Sequence, residues 1–223
     1  MTIQELETEP LTPALAYIIG MVFPLYKEKT DHSGKKYITG CVNHNDVTDA
    51  ELAIHFKAVL ELVGKYNLNI AIKNNKMSDF SISSKKGFSV LIENTNTSLA
   101  ESIRILTKRV TDIRDCSDNN IKLEFMKACF DGRGSWDTTL HTFSVDCDRY
   151  NDNPNKVAYE RQDLIKSIFD DYRISVQINR RAPDHKKNDQ LRIRLVSIQN
   201  FLDVVGLYSA ARLNILRKGL KEL

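Results

Sequence analysis

Two charged residues, Asp131 and Arg133, lie in the turn Asp-Gly-Arg-Gly between a predicted helix and a predicted strand. Glycine permits the tight backbone approach and the positive φ that such a turn can require. A carboxylate such as that of Asp131 is the hard oxygen ligand that Mg²⁺ prefers. Arginine cannot ligate a cation and instead attracts phosphate. The turn therefore contains a candidate metal ligand next to a candidate phosphate contact.

A helix before the turn and a strand after it must position these two side chains. Apolar residues recur before the turn at spacings that gather on one helix face. They are Leu123, Phe125, Met126, Cys129 and Phe130. Residues 136–145 alternate well enough to predict a strand.

A helix that runs into a glycine-flanked acidic turn and then a strand resembles the signature of the LAGLIDADG homing endonucleases. In that family, two such helices pack side by side, and the last acid of each motif holds a divalent metal at the scissile phosphates. Aligned from Met126 to Gly134, the signature places Ala128 at its first small residue and Asp131 at its first acid. The metal-binding acid then falls on Arg133.

A second, weaker copy of the signature lies near the N-terminus. Thr12 and Pro13 predict the start of a buried helix, and residues 15–20 resemble the signature helix. Counted on from Gly20, the metal-binding position falls on Leu25. Both copies therefore lack the carboxylate, so the resemblance implies a site-specific DNA-binding protein in which cleavage is impaired or lost.

An active site-specific DNA endonuclease, of homing or restriction type, is the alternative. Asp131 would then be a displaced catalytic and metal-binding acid, and Asp137 lies just past the turn. The resemblance implies Mg²⁺ as the cofactor in that case, whereas binding alone requires none. The sequence leaves open whether the chain is an enzyme.

The order of predicted elements repeats along the chain. Tyr66 and Tyr172 are 106 positions apart, and the same offset pairs apolar residues across a helix, a strand, a loop and a further strand. Beyond the loop, the offset pairs Val90 with Val196, Ile92 with Ile198 and Asn94 with Asn200.

This repeat predicts an α+β protein built from two LAGLIDADG-like αββαββα units related by a pseudo-twofold axis. We expect a flexible N-terminus at residues 1–11, a first repeat at 12–110, a linker at 111–120 and a second repeat at 121–223. Each repeat supplies an antiparallel sheet with helices on one face, which leaves the other face open.

Basic residues recur in the predicted strands and hairpin loops of both repeats. They are Lys73, Lys76, Lys85 and Lys86 in the first repeat, and Arg180, Arg181, Lys186, Lys187, Arg192 and Arg194 in the second. Alternation predicts Arg192 and Arg194 on one face of a strand, and Ile193 and Leu195 on the other. Together with Arg133, we expect these cations to line paired saddles that bind double-stranded DNA, with RNA less favoured.

Composition limits the remaining classes of function. The formal charge of +3 is slight, and the four cysteines show no zinc-type spacing. With no signal peptide and no run of roughly 18 apolar residues, we expect a soluble cytoplasmic protein without a membrane partner, and a monomer with internal pseudo-symmetry. A structural or partner-binding module with solvated basic faces is a third hypothesis.

Overall fold

The computed structural model describes residues 1–41, 50–63, 71–72, 88–94, 97–147, 157–181 and 188–221. The first half contains α1 (Ile3–Thr8), α2 (Pro13–Val22), β1 (Tyr26–Thr30), β2 (Lys36–Cys41), α3 (Ala50–Val63), β3 (Ala71–Ile72), β4 (Phe88–Glu93) and α4 (Leu99–Asp115). The second half contains α5 (Asn119–Asp131), β5 (Ser135–Asp137), β6 (Thr142–Cys147), α6 (Val157–Asp170), β7 (Val176–Asn179), β8 (Asp189–Ile193), α7 (Leu195–Val204) and α8 (Ala210–Lys221). From α2 onward each half reads αββαββα, and α8 is an addition to the second half.

The two sheets have the same topology. The strand orders are β1-β2-β4-β3 and β5-β6-β8-β7, and every pairing is antiparallel. One face of each sheet carries apolar side chains that are fully buried, among them Ile38 and Ile92 in the first sheet and Phe143 and Ile193 in the second. Helices therefore cover one face, and the duplicated α+β fold is confirmed.

The two halves meet where α2 crosses α5. A methyl group on Gly20 would lie 2.5 Å from the carbonyl oxygen of Phe125 and 2.8 Å from Cβ of Ala128. Only glycine permits so close an approach of the two backbones. Helix α2 begins as predicted, because the Thr12 side chain accepts a hydrogen bond from the N–H of Leu15 and Pro13 occupies the first turn.

The N-terminal residues are a helix, and the prediction of a flexible segment at 1–11 is wrong for α1. Thr2 and Glu5 form a reciprocal capping box, which satisfies two backbone N–H groups at the helix start. Ile3 and Leu6 are fully buried in the core. The cap and these two apolar contacts order a segment whose composition is mostly polar.

The segment predicted as a linker, 111–120, is largely helical. Helix α4 continues to Asp115, and Asp118 caps α5 by accepting a hydrogen bond from the N–H of Asn120. The connection is therefore only residues 116–118. Val110 and Ile113 are buried on the core side of α4, which holds the helix together through a polar stretch.

The strand predicted at 136–145 is instead a hairpin of β5 and β6. The Asp137 carboxylate accepts hydrogen bonds from the N–H groups of Thr139 and Leu140, which closes the turn. His141 completes the turn at a positive φ of 48°. The hydrogen bonds between the Asp137 side chain and the local backbone thus form a turn inside the segment that alternation predicted as one continuous strand.

The strand predicted to carry Arg192 and Arg194 ends at Ile193, so the offset of 106 fails beyond the loop. Val196, Ile198 and Asn200 lie in α7, whereas Val90 and Ile92 lie in β4. The pairings of these residues and of Asn94 with Asn200 are therefore wrong. The connecting segments differ in length between the halves, so no single offset can match the last strands.

Among the described helices, none is both long enough and apolar enough to cross a bilayer.

Candidate nucleic-acid interface

The crossing of α2 and α5 fixes which residues occupy equivalent positions in the two motifs. Gly20 and Ala128 meet at the crossing, and Leu25 and Arg133 each follow five residues later. Leu25 is buried, with 5% of its surface exposed. Arg133 is half-buried and makes no ion pair with any residue that the structure describes. One equivalent position is therefore apolar and the other cationic.

The junction between α5 and β5 is tightly packed at Gly134. A methyl group there would overlap the Phe143 ring and lie 2.6 Å from the carbonyl oxygen of Phe130. Gly134 therefore faces the helices. Ser135, the first residue of β5, pairs with Ser144 and by strand alternation faces away from the helices, while Arg133 lies in the turn just before the strand.

Asp131 is fully buried and already bonded. Its carboxylate accepts hydrogen bonds from the Tyr17 hydroxyl at 2.8 Å and from the N–H groups of Tyr208 and Ser209 at 3.2 and 2.9 Å. The two amides precede α8, where the positive end of the helix dipole also favours a carboxylate. Asp131 thus ties α2 to the start of α8.

Burial dominates the electrostatics at this carboxylate. It raises the pKa of Asp131 to about 7, and the hydrogen bonds from Ser209, Tyr17 and Tyr208 only partly oppose it. Burial, followed by the charge of Asp131, also raises the pKa of Tyr17 well above its ordinary value. The site therefore holds a proton more tightly than an exposed aspartate would.

A wider set of polar contacts surrounds Asp131. The Tyr208 ring stacks on His55 with centroids 3.4 Å apart, and the Lys127 ammonium lies 4.0 Å from the centroid of the same ring. The Tyr208 hydroxyl donates a hydrogen bond to Glu124 at 2.8 Å. His55 belongs to the first half and the others to the second, so these contacts join the halves.

These residues do not fit the divalent metal that the family resemblance implies. Leu25 has no ligand atom, Arg133 repels a cation, and both oxygens of Asp131 are engaged away from solvent. Across the described residues, no three histidine, cysteine, aspartate or glutamate side chains group as a metal site would require.

The face of each sheet that the helices leave uncovered is here called the open face. In the second sheet, Phe143, Ile193 and Val176 stand opposite one another and are buried on the helix side. By alternation, the adjacent register row lies on the open face. This arginine row consists of Ser135, Ser144, Arg192 and Gln177.

The remaining predicted cations of the second half lie in several places. Arg194 is exposed at the start of α7, and Leu195, predicted on the opposite face of a strand, is also exposed. Arg180 turns towards α6, where it bonds to Asp163 at 3.2 Å. Arg181 donates to the carbonyl oxygen of Asn188 at 2.8 Å. The structure thus leaves Arg180 and Arg181 outside the arginine row.

Six predicted cations of the two halves lie outside the described residues. They are Lys73, Lys76, Lys85, Lys86, Lys186 and Lys187.

Three cations on or beside the open face of the first sheet were not among the predicted DNA contacts. Lys27 and Lys29 lie in β1, opposite Thr39 and Tyr37 in register, and Lys35 forms an ion pair with Glu93 at 2.6 Å. The available signal was the alternation Tyr-Lys-Glu-Lys-Thr directly after the first motif.

Two αββαββα halves that meet through crossing helices at small residues define the LAGLIDADG homing-endonuclease fold. No protein-family profile and no curated protein matches the sequence. Solved structures do match. A variant of the homing endonuclease I-DmoI, in complex with its target DNA in the presence of manganese, has a TM-score of 0.51 and 14% identity over 89% of this chain and 96% of that one.

Two structures of the protein DUF199/WhiA share the fold as well. Its N-terminal LAGLIDADG domain has a TM-score of 0.53 and 13% identity, over 92% of this chain and 87% of that one. The full-length protein from Thermatoga maritima has a TM-score of 0.53 and 14% identity, over 99% of this chain and 64% of that one. At these identities the likeness establishes the fold.

Proposed function

We propose that this chain is a site-specific double-stranded DNA-binding protein of the LAGLIDADG endonuclease type, in which cleavage is impaired or lost. The open faces of the two sheets would contact the duplex. Strands that carry side chains on a free face can enter the major groove, where base pairs are distinguishable. The shared fold with an I-DmoI variant determined with its target DNA supports this partner.

The observation that carries the proposal is the pair Leu25 and Arg133. They stand at equal distances past the crossing residues Gly20 and Ala128, where the family resemblance calls for two metal-binding carboxylates. Metal-assisted phosphodiester hydrolysis needs oxygen ligands to hold the cation. A leucine and an arginine at these positions favour binding without hydrolysis. Arg133 would contribute a fixed positive charge to the DNA backbone.

Binding can be tested by gel shift with a pool of random duplexes at increasing salt. We expect retardation that weakens steeply with salt, because cations displace the counterions of the phosphates. Arg133→Asp should bind more weakly in the absence of metal. Arg114→Ala is a matched control, because it also removes an arginine charge but from helix α4, where the side chain pairs with Asp115. No retardation of any duplex at low salt would instead favour the partner-binding module.

Cleavage is tested separately, on a plasmid pool with Mg²⁺ or Mn²⁺. We expect no nicking by the wild-type chain. Metal-dependent nicking would favour the alternative, an active endonuclease that uses displaced acids such as Asp131. Asp131→Asn would then identify the acid, provided that its thermal melting shows a folded protein. Asp203→Asn, at an exposed position of α7, is the control carboxylate.

A further inference from the structure

Arg192 differs from the other described arginines of the second half in being held across the open face. Its Nε and Nη2 groups donate to the Gln190 side-chain oxygen at 3.2 and 2.9 Å. The Gln190 amide nitrogen in turn donates to Asp146 at 3.3 Å. The glutamine thus has its oxygen directed to the arginine and its nitrogen to the aspartate, and a chain of three side chains fixes the guanidinium.

The hydrogen-bonding capacity that remains on Arg192 is specific. A guanidinium has five N–H groups in a planar fork, and Gln190 engages two of them on one edge. The end-on pair, one N–H on each terminal nitrogen, makes no hydrogen bond with any residue that the structure describes. That pair matches the O6 and N7 acceptors that guanine presents in the major groove.

The position of Arg192 within the sheet also suits base recognition. It lies on β8, an inner strand, with Ser144 of β6 on one side and Gln177 of β7 on the other. Its row partners Ser135, Ser144 and Gln177 are neutral hydrogen-bonding side chains. A cation that only neutralises phosphate needs no such fixed geometry. Phosphate contacts position a protein on the duplex but do not distinguish one DNA sequence from another.

The first half has no arginine at the matching place. The row next to the buried pair Ile38–Ile92 is Lys27, Thr39 and Leu91, here called the lysine row. The arginine row is likewise next to the buried pair Phe143–Ile193. In backbone register, position 91 therefore corresponds to position 192, and Lys27 on the first strand is the cation of that row among the described residues.

We propose that Arg192, positioned by Gln190 and Asp146, reads a guanine in the major groove of the half-site bound by the second sheet. This inference rests on the proposed DNA-binding function. It assigns base reading to one named side chain.

The test begins with selection of duplexes by the full chain from a random pool, followed by sequencing. The selection is repeated with Arg192→Lys, which keeps the charge but loses the planar fork. We expect one guanine position to lose its preference in that variant while the other positions keep theirs. Gln190→Met should weaken the same preference, because Arg192 is then no longer held. Arg114→Ala, the matched control, should leave every preference unchanged.

A modified base tests the contact directly. Replacement of that guanine by 7-deazaguanine removes the N7 acceptor, and we expect it to weaken wild-type binding by roughly 5- to 150-fold. The same replacement should have little effect on the Arg192→Lys variant, because the contact is already lost.

Three outcomes would overturn the proposal. One is an unchanged set of preferences in Arg192→Lys with uniformly weaker binding, which would make Arg192 a phosphate contact. Another is a wild-type chain that is insensitive to 7-deazaguanine at every selected guanine. The third is a wild-type chain that selects no duplex, which would overturn the proposed function together with this inference. Thermal melting of each variant separates loss of recognition from loss of fold.

Discussion

The two sheets share one topology but present different chemistry on their open faces. The lysine row has its cation on β1, whereas the arginine row has its cation on the inner strand β8 with neutral hydrogen-bonding partners. The helix-facing rows are alike, since Ile38–Ile92 and Phe143–Ile193 are both fully buried pairs. Packing constrains the helix-facing rows of the two halves similarly, while the rows on the open faces differ in residue type.

The motif ends differ in the same way. Phe23 and Asp131 each stand three residues after the crossing residues and are both fully buried. The centroid of the Phe23 ring lies 6.4 Å from that of the Phe125 ring and 5.7 Å from the central carbon of the Arg161 guanidinium. Asp131 instead bonds to Tyr17 and to the start of α8. Duplication of a scaffold thus does not require duplication of its polar contacts.

The largest change in stability should follow from a substitution at the crossing of α2 and α5, and variants at Gly20 and Ala128 show which of the two residues the crossing requires. Gly20→Val should destabilise the fold by roughly 3 kcal/mol or more, because the added atoms meet the Phe125 carbonyl. Ala128→Gly should cost only about 1 kcal/mol, mainly through helix propensity. Urea unfolding measures both, and equal costs would contradict the close approach at Gly20.

The buried carboxylate of Asp131 makes the stability of the protein depend on pH, whereas the equivalent residue of the first motif, Phe23, does not titrate. The folded-state pKa of Asp131, about 7, lies above its ordinary value of 3.8. The folded state therefore keeps the proton longer, and the resulting stabilisation is complete below that ordinary value and is lost as the pH rises through 7.

We expect the wild-type free energy of unfolding to fall between pH 5 and pH 8 by about 2 kcal/mol more than that of Asp131→Asn. Urea unfolding at the two pH values measures the difference. Parallel pH profiles for the two proteins would show that the carboxylate is ionised throughout.

Removing the lysines of β1 should sharpen the contrast between the open faces. A Lys27→Gln, Lys29→Gln variant should bind all duplexes more weakly, and the slope of log affinity against log salt should become shallower by about 2 if each lysine neutralises one phosphate. Sequence preference should be unchanged, unlike in the Arg192→Lys variant. Altered base preference would show that the first sheet also reads bases through these lysines.

The smallest effect concerns Lys35, whose charge is paired with Glu93 at 2.6 Å. Side-chain bonding to Glu93 raises the pKa of Lys35, so the ammonium is held in place by an acid. Glu93→Gln should release it towards phosphate and tighten non-specific binding by roughly threefold at low salt. Gel shift at two salt concentrations measures this gain, and weaker binding would place Lys35 away from the duplex.

Local patterns predicted several elements because the forces that set them act over a few residues. Thr12 and Pro13 start α2 through a cap and a preset φ, as predicted. Asp137 shows the limit of pattern reading. Its carboxylate closes a turn inside an apparently continuous alternation, so one predicted strand became a hairpin.

The partners of the candidate site residues could not be read from local spacing. Tyr17 and Ser209 bond to Asp131 across 114 and 78 residues of chain, respectively. By its position in the sequence, Asp131 is a candidate metal ligand. The distant residues that contact it in the fold make it a buried hydrogen-bond acceptor. Nothing in the sequence distinguishes Arg180 from Arg192, yet Arg180 pairs with Asp163 whereas Arg192 is bonded to Gln190.

The sequence by itself determined the duplicated αββαββα order, the two motif copies and the absence of carboxylates at Leu25 and Arg133, because periodicity, caps and residue identity are local properties. Tertiary structure alone decided that Gly20 meets Ala128, that Asp131 is buried, and that Arg192 is held across an open sheet face. Burial and hydrogen-bond partners depend on segments distant in the chain, and these set the pKa of a carboxylate and the direction of a guanidinium.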